Sequence, residues 1–175
     1  MSNILILHSS TNGQAIKICQ TLVEELQGDE HSLTLQPLID SNGDFSGYDA
    51  VVIGASIYHG KHNPAVFEFI ATHKKALEQV PSAFFSVNLV ARKPEKNTAE
   101  TNPYVQQFLT KTEWQPNLCS VFGGKIDYQS YSFFDRNIIR FIMWLTKGPT
   151  NADACIEYTD WNSVKRFAQQ IAQLN

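Results

Sequence analysis

The sequence predicts an α/β protein built on a doubly wound parallel sheet. Two observations carry this expectation. Strand-length and helix-length segments alternate along the chain. Several of the strand-length segments are uniformly apolar, as in strands buried on both faces. Residues 4–7 are the first such run. Ala15, Ile16, Cys19, Leu22, Val23 and Leu26 then recur at helical spacing. Leu33, Leu35 and Leu38 outline a second strand, and residues 40–47 a loop. Residues 50–53 form a third apolar strand that stops at Gly54. Asn63-Pro64 opens a helix with an amide cap and a proline in the first position, and that helix carries Val66, Phe67, Ile70 and Leu77. Residues 83–87 read as the fourth strand, 103–109 as the start of the next helix and 118–122 as the fifth strand. Residues 155–158 offer a short extra strand. Asp160 caps a final helix bearing Val164, Phe167, Ala168, Ile171 and Leu174.

With 175 residues the chain reads as one domain, large enough to bury roughly 70% of its unfolded surface. Its 43% hydrophobic and 18% charged residues are ordinary for a globular protein,. A net charge of −3 gives no overall attraction to nucleic acid,. No apolar run is long enough to span a bilayer, and no basic-then-apolar leader opens the chain, so a cytoplasmic location is expected. Cys19, Cys119 and Cys155 are odd in number and far apart, which suits reduced thiols better than a disulfide or a zinc site,.

Ligands of such sheets bind beyond the carboxyl ends of the strands. The loop after the first strand reads SSTNGQ. Ser9, Ser10, Thr11 and Asn12 supply side-chain donors, Gly13 permits close backbone approach, and Gln14 opens the following helix,. No Lys or Arg lies between His8 and Gln14. The Gly-Lys-Ser/Thr ending of a P-loop is absent, and so is the G-x-G-x-x-G dinucleotide fingerprint. A monophosphate held by neutral donors fits what remains; a plain helix cap is the simpler alternative. After the third strand come Ala55, Ser56, Ile57 and Tyr58, small residues and then an aromatic ring. After the fourth come Ser86, Val87, Asn88, Leu89, Val90, Ala91 and Arg92, and after the fifth Gly123 and Gly124. A flat ring with a phosphate tail, flavin mononucleotide (FMN), matches this set.

At these residues the sequence resembles flavodoxin-fold proteins. More narrowly, it resembles the menaquinone-dependent protoporphyrinogen IX dehydrogenase family of haem synthesis. The resemblance runs through SSTNGQ, YDAVVIGASI (48–57), PSAFFSVNLVARKPEKNT (81–98), the basic and aromatic stretch 128–148, and YTDW (158–161). It implies a five-stranded sheet in the order 2-1-3-4-5, bound FMN, and oxidation of protoporphyrinogen IX with a membrane quinone, menaquinone or ubiquinone, as acceptor. Residues 10–14 take the phosphate role and 86–92 the flavin-ring role. The resemblance also implies residence at the cytoplasmic face of the inner membrane. No general base stands out; His59 is a candidate, and solvent is the alternative.

Residues 126–150 form an insert that a flavodoxin fold does not need. On a helical wheel of residues 133–147, Phe134, Ile138, Phe141 and Leu145 share one face, flanked by Ile142 and Trp144. Arg136, Arg140 and Lys147 lie opposite, beside Met143. Such a helix suits an anionic membrane surface, although packing of the apolar stripe on the domain explains it equally well. From Lys125 to Lys147 the chain has four basic and two acidic residues, net +2, against −5 for the remainder. That asymmetry separates the chain from a simple acidic electron carrier, the first rival reading; an NAD(P)H:quinone reductase and a module that has lost its cofactor are others. Arg92, Lys93, Arg136 and Arg140 are candidates to meet the propionates of the substrate. His59 and His62 form an H-x-x-H without a third metal ligand in view. Homo-oligomerisation is left open.

Overall fold

The computed structural model describes residues 1–10, 13–28 and 30–174. Five parallel strands form the sheet: β1 (Asn3–Ser9), β2 (Ser32–Pro37), β3 (Ala50–Tyr58), β5 (Ser82–Asn88) and β6 (Leu118–Gly123). Their order is β2-β1-β3-β5-β6, which is the expected path. The numbering shifts because a two-residue strand, β4 (Lys61–His62), folds back antiparallel on the end of β3. The hairpin turn is His59-Gly60, both at positive φ (50° and 78°), the backbone that tight hairpins require. Sequence alternation could not reveal so short a strand.

The strands are apolar on both sides because both sides are covered. On one face, α1 (Gln14–Gln27) and α5 (Trp161–Ala172) pack Ile18, Cys19, Leu22, Val164 and Phe167 against Ile4, Ile6, Val52 and Phe85. On the other, α2 (Pro64–Leu77) and α3 (Pro103–Thr112) pack Val66, Ile70 and Phe108 against Leu5, Leu7, Val51 and Phe84. Phe84 and Phe108 stack with centroids 4.1 Å apart. Cys19 belongs to this core and burial pushes its thiol up to about 12. Cys119 is only half-buried.

Beyond β6 the chain leaves the sheet. β7 (Lys125–Asp127) and β8 (Cys155–Glu157) make an antiparallel ribbon, with Lys125 opposite Glu157 and Asp127 opposite Cys155. Between them lies α4 (Phe133–Leu145). The excursion is therefore bracketed by a ribbon at 125 and 157, a wider span than the 126–150 read from sequence. Pairing across so many residues leaves no local signature. The helix stops at Leu145, and Lys147 turns to φ 57°.

Gly54, in β3, has no room for a side chain: a Cβ there would overlap the ring of Phe85. Gly54→Ala is expected to cost about 1–3 kcal/mol of stability through overpacking, measured by chemical denaturation.

Candidate functional site

Four helices have a side chain to cap them. Asn63 Oδ1 accepts from Ala65 N at 3.0 Å, and Asn102 Oδ1 from Tyr104 N and Val105 N. Ser132 Oγ accepts from Asp135 N, and Asp160 Oδ1 from Asn162 N and Ser163 N. Helix α1 differs. Its cap is Gly13, at φ 79°, which has no side chain. The first helical bond runs from Lys17 N to Gly13 O (3.1 Å), so the amides of Gln14, Ala15 and Ile16 precede the ladder. Among the described residues no side chain accepts from these amides, and together with the helix dipole they suit an anion,. Ser10 Oγ accepts from Gly13 N at 3.1 Å and sets the entry to the helix. Thr11 and Asn12, also assigned to the phosphate, lie outside the described residues.

Beside this helix start a cleft extends along the carboxyl ends of the strands, the edge where ligands of such sheets bind. Of the residues assigned to the cofactor, Gln14, Ser56, Ile57, Tyr58, Val87, Asn88, Leu89, Val90, Arg92 and Gly124 line it. Ala55, Ser86 and Ala91 are buried around it and do not line it; Ser9, Ser10, Gly13 and Gly123 lie outside its lining. Sequence reasoning missed Gly60, Tyr104 and Lys125. It also missed an entire wall: Ile139, Ile142, Met143 and Thr146 of α4 and its end. That wall does carry a signal, since these four residues recur at i, i+3, i+4 and i+7. The broader outer stripe of the same helix obscured it.

The cleft floor is a buried polar relay. Asn88 Nδ2 donates to Ser86 Oγ (3.2 Å) and to Asn102 Oδ1 (3.1 Å), and Asn102 Nδ2 donates back to Asn88 Oδ1 (3.0 Å). Asn88 Oδ1 also accepts from Ala91 N at 3.0 Å, which fixes the turn of residues 89–92. Ser86 Oγ lies 2.9 Å from His62 Nε2. His62 is packed against the rings of Phe67, Phe84 and Phe108, and burial lowers its pKa to about 4. It is thus a neutral structural histidine. Among the described residues no group of three metal-ligating side chains occurs. Gln14 Nε2 donates to Glu157 Oε1 (2.7 Å) and Thr159 Oγ1 (2.8 Å), and Thr159 Oγ1 donates to Gly123 O (2.6 Å). The Gln14 amide thereby ties the phosphate end of the cleft to the β8 segment, leaving its backbone N–H for a ligand.

Helix α4 turns its polar side inward. Arg136 Nε donates to Tyr128 O (2.9 Å), Arg140 Nε to Thr150 O (2.8 Å), and Arg92 Nη2 to Thr146 O (2.9 Å). Arg92 Nη1 holds Leu89 O at 2.9 Å. Arg136, Arg140 and Lys93 do not line the cleft; Lys93 borders a separate open groove with Arg92, Leu145 and Lys147. Outward, Phe133, Phe134, Phe141, Trp144 and Leu145 are 60–80% exposed. The candidate base His59 is likewise outside the cleft lining. Its ring stacks on Tyr58, and its Nε2 lies 2.9 Å from Asp135 Oδ1. The Tyr58 hydroxyl beside the Asp135 carboxylate holds that carboxyl below its ordinary range, and the carboxylate raises the tyrosine. These contacts latch the β3–β4 turn to the first turn of α4.

A parallel sheet in this order, with its first helix starting on a glycine beside a cleft beyond the strand ends, has the architecture of an FMN-binding protein of the flavodoxin class. The family model described as flavodoxin domain matches residues 5–153. A flavodoxin from the domain Archaea superposes with a TM-score of 0.56 at 12% identity, over 98% of this chain and 96% of that one. Much nearer in sequence is the protoporphyrinogen IX dehydrogenase [quinone] of Escherichia coli strain K12, 42% identical over 97% of this chain and 94% of that protein. The protein of the same name from Leishmania major is also 42% identical, over 97% of this chain and 74% of its own length. The chain belongs to the flavodoxin-domain family and, within it, to the family of quinone-dependent protoporphyrinogen IX dehydrogenases.

Because His62 is depressed below the ordinary histidine range of about 6.5, the unfolded chain takes up its proton more readily than the folded one. The stability this histidine contributes is complete above about pH 6.5 and is lost as pH falls toward 4,. His62→Gln removes that titration. The stability gap between the two proteins is expected to narrow by up to about 3 kcal/mol from pH 7 to pH 4, read from urea unfolding at each pH.

Proposed function

We propose that this chain holds FMN and oxidises protoporphyrinogen IX to protoporphyrin IX, passing the electrons to a quinone. One observation carries the reading beyond the family name: α4 walls the flavin cleft with its inner face and presents large apolar side chains outside. An ordinary carrier of soluble electrons has no use for that second surface. FMN, when bound, supplies the two-electron redox chemistry.

The protein supplies placement. The amides of Gln14, Ala15 and Ile16 hold the phosphate. Ser56–Tyr58 and Val87–Val90 flank the ring from two strand ends, and the Asn88–Asn102 pair keeps the second of these rigid. Ile139, Ile142 and Met143 give an apolar, water-poor wall suited to a macrocycle or a quinone ring. Three two-electron oxidations convert the porphyrinogen, each paired with reduction of one quinone. Each oxidation releases two protons and each quinone takes up two on becoming quinol; solvent carries them between the two, since His59 is engaged with Asp135 outside the cleft lining.

The outer face of α4 meets the interfacial zone of a membrane, with Lys147 at its end, and the protein sits peripherally at the cytoplasmic face of the inner membrane. Among the described residues no helix is long and apolar enough to cross a bilayer. Lipid-soluble quinone and substrate then reach the cleft along the edge of the same helix. A second copy of the chain is the competing cover for this face.

FMN-loaded protein with protoporphyrinogen IX and a menaquinone analogue, under anaerobic conditions, is expected to develop porphyrin fluorescence in proportion to quinone. No growth above the protein-free rate, with flavin demonstrably bound, refutes the assignment. Phe141→Asp with Trp144→Asp is expected to weaken sedimentation with anionic vesicles by at least about tenfold, because two large apolar groups are withdrawn from lipid, while FMN content stays at the wild-type level. Concentration-dependent dimerisation without vesicle binding would assign the face to a second copy.

A further inference from the structure

The SSTNGQ loop contains no cation, yet the fold brings one from a distant segment, Lys125, into the cleft that Gln14 lines. β7 and β8 pair antiparallel with Lys125 directly opposite Glu157. Residues so paired project their side chains on the same face of the ribbon. Glu157 shows where that face points: its Oε1 accepts from Gln14 Nε2 at 2.7 Å, at the first turn of α1. Lys125 accordingly leaves the ribbon on the side of the phosphate mouth, and it lines the flavin cleft together with Gln14. Among the described residues, no carboxylate lies within 4.0 Å of its ammonium, that of Glu157 included. Arg92 is the other cationic residue of the cleft lining, and its guanidinium is spent on Leu89 O and Thr146 O, both at 2.9 Å.

We propose that Lys125 is the electrostatic partner of the FMN phosphate and that Glu157 opposes it. The pair makes the cleft discriminate a flavin phosphate monoester from the uncharged flavin alcohol. The inference rests on the FMN reading of the cleft and adds a charged residue to a site otherwise made of neutral donors. A phosphate monoester carries a charge near −2 at neutral pH, so a lysine at the mouth strengthens binding and a carboxylate at the same mouth weakens it. Glu157 also orients Gln14, whose backbone amide belongs to the phosphate set. Its carboxylate therefore trades some affinity for a fixed loop.

The test is binding of FMN and of riboflavin to apoprotein, followed by quenching of flavin fluorescence at low and high salt. Lys125→Gln is expected to weaken FMN by about tenfold or more and to flatten its salt dependence, with riboflavin changed by less than about twofold. Lys125→Arg is expected to restore most of the difference. Glu157→Gln, which keeps a hydrogen-bonding group for Gln14, is expected to tighten FMN severalfold and leave riboflavin unchanged. An FMN-to-riboflavin affinity ratio unaltered by Lys125→Gln overturns the proposal, as does equal weakening of both flavins. If the unsubstituted protein binds neither flavin, the cofactor reading itself falls, and this one with it.

Discussion

Backbone amides at a helix start need partners, and the way this chain meets that need organises the rest of the molecule. Helices α2 to α5 begin with Asn63, Asn102, Ser132 and Asp160, whose side chains accept the first-turn amides. Helix α1 begins with Gly13. Its amides are aimed past the end of β1, at the edge where the parallel strands β1, β3, β5 and β6 all terminate. Parallel pairing is what collects these strand ends on one side, and an anion bound at α1 draws the ring of the same ligand along them. The cap at Asn102 serves the site twice, since the amide that starts α3 also holds Asn88 beneath the ring loop.

The second constraint concerns α4. An amphipathic helix beside a domain ordinarily buries its apolar side. Here three guanidinium groups, Arg92, Arg136 and Arg140, reach main-chain carbonyls around the helix, and Ile139 and Met143 fill the narrow space beneath it. Arginine forks are strong and directional donors. Pinned in this way, the helix keeps a thin apolar line for the cleft and leaves its wide aromatic face outside. The Tyr58–Asp135–His59 latch joins that helix to the loop at the end of β3. One short element thus separates the flavin cleft from whatever covers its outer surface.

Of the basic residues that looked available for substrate carboxylates, Arg92, Arg136 and Arg140 each hold main-chain carbonyls. Electrostatic work in the cleft falls instead to a lysine delivered by the β7–β8 ribbon. This division is physically reasonable: a planar guanidinium satisfies two carbonyls at once, whereas a mobile ammonium can follow a ligand.

The sequence by itself determined the α/β alternation, the parallel sheet and the loops that bear the site. Uniformly apolar strands and polar, glycine-bearing breaks are local features with local causes. It also determined the amphipathic pattern of residues 133–147. Most of the cleft residues on β3 and β5 were legible for that reason. The tertiary structure decided which face of α4 turns outward, because helical spacing orders faces relative to one another but says nothing of which finds a partner. It decided, too, that Tyr104 and Lys125 stand at the cleft, that His59 leaves it, and that Gln14 meets Glu157 across the whole length of the fold. Those placements depend on contacts between segments far apart in sequence, and no periodicity within a segment encodes them.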